Sequence, residues 1–313
     1  MSRRYLCGAL VGVLATAGAL TAAASAAPAG SQVQAKPSMM RIFNGKPSKP
    51  VRPRRTNNLY YHGGVGGIGV ETAPKVYLVL WGSQWNSDPS GESAILQNFF
   101  SDVGGSSWLN SVTQYCQGVA SGTITCGSSG QHAGNPAGIY PTSSWGDNTS
   151  AAPTHPTQSQ LAAEAVRAAG QFGNTSSTTN NTVQYVVATA TGNNASGFGT
   201  QYCAWHSSTS SQYGNIAYTN LPYITDAGAS CGSNFVNPGS AGATDGITIV
   251  EGHELAETIT DQFPNGGWLD GSGAENGDKC AWSAATSNQP MGGSSFPVQP
   301  LWSNASSSCV LSY

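Results

Sequence analysis

The chain has 313 residues, of which 39% are hydrophobic and only 9% charged, and twelve basic against fifteen acidic residues leave a formal net charge of −3. The charges are segregated: Lys36, Arg41, Lys46, Lys49, Arg52, Arg54 and Arg55 share one stretch without an acid, and only Lys75, Arg167 and Lys279 accompany the fifteen acids found from Leu59 onward. So acidic a main segment argues against nucleic acid as a partner, and no stretch beyond the N-terminal apolar run is long and apolar enough to span a bilayer.

In chain order, Arg3 and Arg4, the apolar run Leu6 to Leu20 and the Ala-Ala-Ala-Ser-Ala-Ala that follows predict a secretory signal over residues 1–27. Ser2-Arg3-Arg4-Tyr5-Leu6 loosely fits a twin-arginine signal, and a general-secretion signal fits as well. Residues 28–58, basic and proline-containing, are expected to be a solvated arm or disordered leader, the alternative being a propeptide covering the acidic domain. Residues 59–313 suffice for a single domain with a substantial core. Within it, Val76 to Trp81 predicts a buried strand, Glu92 to Val103 a helix, Ser159 to Phe172 a second helix, Val183 to Ala190 a strand and Asn215 to Thr219 another. A further helix is expected from Gly246 to Asp261, with Asp245 capping its first amides. The alternation predicts a three-layer α/β domain with a mainly parallel or mixed sheet and disulfide-stabilised loops. Once Cys7 leaves with the signal, six cysteines remain, an even number suited to three disulfides in an oxidising compartment. Pairing along the chain, 116 with 126, 203 with 231 and 280 with 309, is the preferred one of fifteen connectivities.

The last helix carries the strongest chemical signal. His253-Glu254-Leu255-Ala256-Glu257 resembles the metallopeptidase H-E-x-x-H helix, in which ligands one turn apart hold zinc and the intervening glutamate activates water, except that Glu257 stands at the second ligand position. Eight of the fifteen acids fall between Asp245 and Asp278, and such like-charge clustering is unfavourable unless cations or hydrogen bonds neutralise it. The expected metal residues are His253 and Glu257 with Glu275 as third ligand and Asp278 as its outer support. Asp261 shares the helix face, but eight residues place it about 12 Å along the axis, so it is expected to brace the following turn. Glu254 is the expected general base, and His206 a candidate for polarising a carbonyl, weighed against a structural role beside Cys203. One imidazole with carboxylates suits a divalent metal, zinc first, with iron, manganese or calcium as alternatives. Serine nucleophile, P-loop and dinucleotide motifs are missing.

Tyr61-His62-Gly63-Gly64, Val76 to Gly82, Phe198-Gly199 with Cys203 and His206, and Cys309 resemble the EXORDIUM or phosphate-induced family of secreted proteins, known from plant cell walls and with bacterial relatives. The plant members do not keep His253, Glu254 and Glu257 as a metal motif, so their role in growth signalling does not carry over. His253, Glu254, Glu257, Asp261, Trp268, Asp270, Glu275, Asp278 and Cys280 are similar to a motif set of exported bacterial proteins of unassigned or peptidase-like function. The expectation is therefore a secreted, extracellular metallopeptidase acting on a peptide or protein substrate. The alternative is an EXORDIUM-like protein with a structural ion that binds cell-wall polysaccharide.

Overall fold

The unbroken apolar run ending at Trp81 forms the strand Lys75–Trp81, which is almost wholly buried, as a strand covered by helices on both faces must be. The computed structural model describes residues 1, 33–48 and 58–313; the expected signal peptide and the basic residues Lys49, Arg52, Arg54 and Arg55 lie outside the described residues. Six strands form the main sheet: Ser38–Arg41 (β1), Lys75–Trp81 (β2), Trp145–Asp147 (β3), Val183–Thr189 (β4), Tyr202–Ser211 (β5) and Gly214–Leu221 (β6). Their spatial order is β1-β5-β6-β4-β2-β3. β3, β2, β4 and β6 run parallel, whereas β5 folds back antiparallel on β6 and β1 pairs antiparallel with β5. The sheet is mixed and mainly parallel, as expected.

Glu92–Val103 (α1) and Asp245–Thr260 (α3) cover one face and Gln158–Gln171 (α2) the other. Strand periodicity divides the core. Tyr77, Val79 and Trp81 join Leu161, Ala162 and Ala165 of α2, while Val76 and Leu78 join Leu96, Phe99 and Phe100 of α1 and Ile249, Leu255 and Ile259 of α3. Full burial of each such Leu, Ile or Phe is worth about 1.5–3 kcal/mol. Helix starts follow local chemistry: Thr157 and Gln160 form a reciprocal capping box on α2, and Asp88 accepts from the Glu92 and Ser93 amides that open α1. Among the described residues no helix is long and apolar enough to cross a membrane.

Two expectations change, and one strand is additional to those expected. The basic segment is not wholly a solvated arm, because Ser38–Arg41 pairs with β5 and Met40 is buried in the core. Asp245 does not cap α3; its carboxylate accepts from the Val236 and Asn237 amides at 2.8 and 2.7 Å, fastening the preceding loop instead. The ten-residue strand β5 is not evident in the sequence, since its second half is Ser and Thr and its inward alternation includes His206. The disulfides do follow the preferred pairing: Cys116–Cys126, Cys203–Cys231 and Cys280–Cys309.

Glu92, the first residue of α1, is buried, with one carboxylate oxygen accepting from the Ile224 amide at 3.0 Å and the other unpartnered. Burial pushes its pKa from 4.5 up to about 8, against the smaller opposing effect of the backbone donors Ile224 and Thr225. The folded state therefore holds a proton that the unfolded chain releases near 4.5. Its contribution to stability is complete below that pH and is lost as pH rises through about 8. Chemical denaturation of Glu92→Gln is expected to show a flatter dependence across this window than the wild type.

Candidate metal centre

All sixteen residues of α3 are buried, so its acids cannot be a solvated face. The helix lies across β5, and because Trp205 points to the α2 layer, the period-two alternation turns His206 toward α3. From the helix, Glu257 meets His206: its Oε2 lies 3.5 Å from His206 Nε2. One turn earlier His253 places Nε2 3.1 Å from the other oxygen, Oε1. The loop after the helix supplies the rest. Glu275 Oε2 lies 3.1 Å from His206 Nε2, and Asp278 Oδ1 lies 3.9 Å from His253 Nε2. Asp261 is apart from this group and accepts from the Asn265, Gly266 and Gly267 amides, bracing the turn as expected.

Two sets of potential ligands result. His253, Glu257 and Asp278 each bring one atom within 4.8 Å of the others, and so do His206, Glu254 and Glu257. A zinc ion with bonds of about 2.0–2.1 Å holds tetrahedral ligand atoms about 3.3 Å apart, and the 3.1 Å between His253 Nε2 and Glu257 Oε1 is close to that spacing. Nitrogen and carboxylate donors fit zinc, iron or manganese. Both oxygens of Glu254, Oε2 of Glu257 and Nε2 of His253 are buried without a hydrogen-bond partner. Buried carboxylates left in that condition cost several kcal/mol unless a cation or proton satisfies them.

The placement revises two expected roles. Glu275 meets His206, not His253, and it is Asp278 that joins His253 and Glu257, because the loop folds over the helix and the Asp278 amide donates to Glu257 Oε1 at 2.8 Å. His206 has its Nε2 directed at Glu257 and Glu275, which places it in the ligand cluster, while its Nδ1 has no hydrogen-bond partner. Gln299 was invisible to motif reading. Its Nε2 donates to the Gly277 carbonyl at 2.8 Å, which leaves its Oε1 to accept from His253 Nδ1 at 3.3 Å. That hydrogen bond sets the tautomer in which Nε2 faces Glu257 with a lone pair, the outer support common to ligating histidines. A glutamine 46 residues from its partner carries no local signal.

Without an ion, the cluster shares protons. Burial opposes charge on His253, but Glu257, Glu254 and Asp278 outweigh it and push its pKa up to about 10. Burial would raise Glu257, yet His253 and His206 hold it far below the ordinary carboxylate range. Glu254 is pushed up to about 8 by burial, against His253 and with Glu257, and Asp278 up to about 7 by burial and then Glu257. Lys279 is engaged elsewhere: Nζ lies 2.7 Å from Asp270 Oδ2 and 4.6 Å from the centre of the Trp302 ring.

Gly277 closes the arrangement. A Cβ there would lie 2.8 Å from His253 Nδ1 and 2.9 Å from Glu257 Oε1, closer than carbon contacts allow. Gly277→Ala is therefore expected to weaken binding of added zinc about 10–100-fold, the range for disturbed outer support of metal ligands, in a competition titration against a chromophoric chelator, with the far-ultraviolet circular dichroism spectrum unchanged.

Searches against protein-family models, curated proteins and solved structures find no match to this chain, so the chemistry of the cluster is read from its own side chains.

Proposed function

We propose that the chain is a secreted metal-dependent hydrolase that cleaves peptide bonds at the cluster of His253, Glu257 and Asp278, with Glu254 as general base. The observation that carries this is Glu254 itself: fully buried, without a donor to either oxygen, and adjacent in sequence to His253 while its carboxylate groups with Glu257 and His206. A divalent ion held by this set, zinc by preference for a nitrogen and carboxylate donor set, supplies Lewis acidity to the scissile carbonyl when bound. Glu254 takes the proton from the attacking water and returns it to the departing amine, a role for which its raised pKa, near neutrality, is suited. Gln299 and Gly277 hold His253 in place. A cavity of about 180 Å³ has Glu275, Asp261, Lys36 and Ser38 in its wall, and Asp278 is partly exposed. Three disulfides and the N-terminal signal pattern support export.

A second reading is favoured by the near-complete closure of the cluster, in which every member except Asp278 is inaccessible, as ligands of structural ions are. In it, the chain is an EXORDIUM-like wall-associated protein whose ion stabilises the fold and whose partly exposed aromatic residues, Trp85 and Trp145 among them, contact polysaccharide. Glu254→Gln separates the two. On the hydrolase reading it retains an ion at His253 and lowers peptide hydrolysis about 10²–10⁴-fold, the usual contribution of a general base. Peptide cleavage, zinc content and binding to isolated wall polysaccharide measured on both proteins check this; unchanged cleavage in Glu254→Gln would remove Glu254 as the base, and no cleavage by the wild type with polysaccharide bound equally by both would leave the structural reading in its place.

A further inference from the structure

We infer that the cluster is built for two divalent ions bridged by Glu257, one held with His253 and Asp278 and the other with His206 and Glu254. The inference rests on the reading of this cluster as a metal centre and extends it in number and geometry.

Its first support is the direction of the two Glu257 oxygens. Oε1 faces His253 Nε2 at 3.1 Å and Oε2 faces His206 Nε2 at 3.5 Å, so one carboxylate is shared by two imidazoles that belong to different elements, the helix and the sheet. A carboxylate bridging through both oxygens is compatible with the separation of about 3.5–4 Å found in two-metal sites. The second support is the way the ligand atoms group. Glu254 gathers with His206 and Glu257, Asp278 gathers with His253 and Glu257, and Glu257 is the member common to both sets. A single ion would need one set to be idle, yet each contains fully buried polar atoms without a hydrogen-bond partner: Nε2 of His253 in one, and both oxygens of Glu254 in the other. One Glu254 oxygen can bind the second ion while the other remains for proton transfer. Glu275, whose Oε2 lies 3.1 Å from His206 Nε2 and whose Oε1 is unpartnered, completes the environment on that side.

Charge points the same way. Glu254, Glu257, Glu275 and Asp278 bring four negative charges when ionised, and the described ion pairs of this group are made with His206 and His253 alone. One divalent ion leaves two of those charges to be removed by protons, whereas two divalent ions balance them while both imidazoles act as neutral donors.

The full chain, stripped with chelator and reloaded with cobalt(II), distinguishes these states by elemental mass spectrometry and electron paramagnetic resonance. The expected result is two ions per chain with a signal attenuated by magnetic coupling. His206→Ala and His253→Ala are each expected to retain one ion with an uncoupled signal. If His206→Ala fails to fold by circular dichroism, Glu254→Gln, which preserves shape, carries the same expectation. One ion in the wild type overturns the two-ion centre and leaves the hydrolase reading standing, and no ion overturns both. Two ions retained in the folded His206-side variant, or none in it, overturns the assignment of two separable sites.

Discussion

Glu257 reaches an imidazole with each of its oxygens, His253 from its own helix and His206 from the sheet across from it, and this double engagement ties the polar interior together. Around it, Glu251, Glu254, Glu257 and Asp261 line one inaccessible helix, and the groups that could neutralise them are few. Asp261 is satisfied by three backbone amides. Glu251 has no partner for either oxygen, and burial followed by the nearby Glu254 drives it to the neutral form. What remains between the two histidines is an acidic interior that requires cations or protons to exist, and the surrounding elements are arranged to hold it shut.

That arrangement relies on the apolar frame. Ile247, Ile249, Val250, Leu255 and Ile259 fix α3 in the core, and their burial offsets the desolvation of the acids interleaved with them. Two of the disulfides bear directly on the cluster: Cys203–Cys231 secures β5 three residues before His206, and Cys280–Cys309 anchors the loop two residues after Asp278. Trp108 donates to the Gln299 carbonyl at 2.8 Å, so the residue that orients His253 is itself held by the core. The edge strand β1 reaches the same region from the N-terminal side, with Ser38 opposite His206 in register. Rigid support of this kind keeps ligand atoms in place where like charges would otherwise drive them apart.

The EXORDIUM resemblance expected from short motifs and the metal motif point to different functions. The motif segments near residues 61–64, 76–82 and 198–206 build a packed turn, the strand β2 and the entry to β5 in this structure. The candidate chemistry sits on α3 and the loop after it. Function is therefore argued from the cluster and not from the scaffold, since one scaffold can carry unrelated sites.

The amino-acid sequence by itself determined the local structure and the identity of most of the site. Apolar runs marked β2 and β4, helical spacing marked α1, α2 and α3, and His253, Glu254 and Glu257 announced themselves through one-turn spacing, which is a property of a single helix. The disulfide partners were readable because each loop is short, with separations of 10, 28 and 29 residues. Only the tertiary structure decided which acid meets which histidine. The exchange of Glu275 for Asp278 beside His253 depends on how a glycine-containing turn folds over the helix, with the Asp278 amide on Glu257. The inclusion of His206 depends on a Ser- and Thr-rich strand whose pairing is set by its neighbours β1 and β6, and Gln299 arrives from 46 residues away. Periodicity reports which face of an element a residue occupies; the distance between two faces is set by packing, which no segment carries alone.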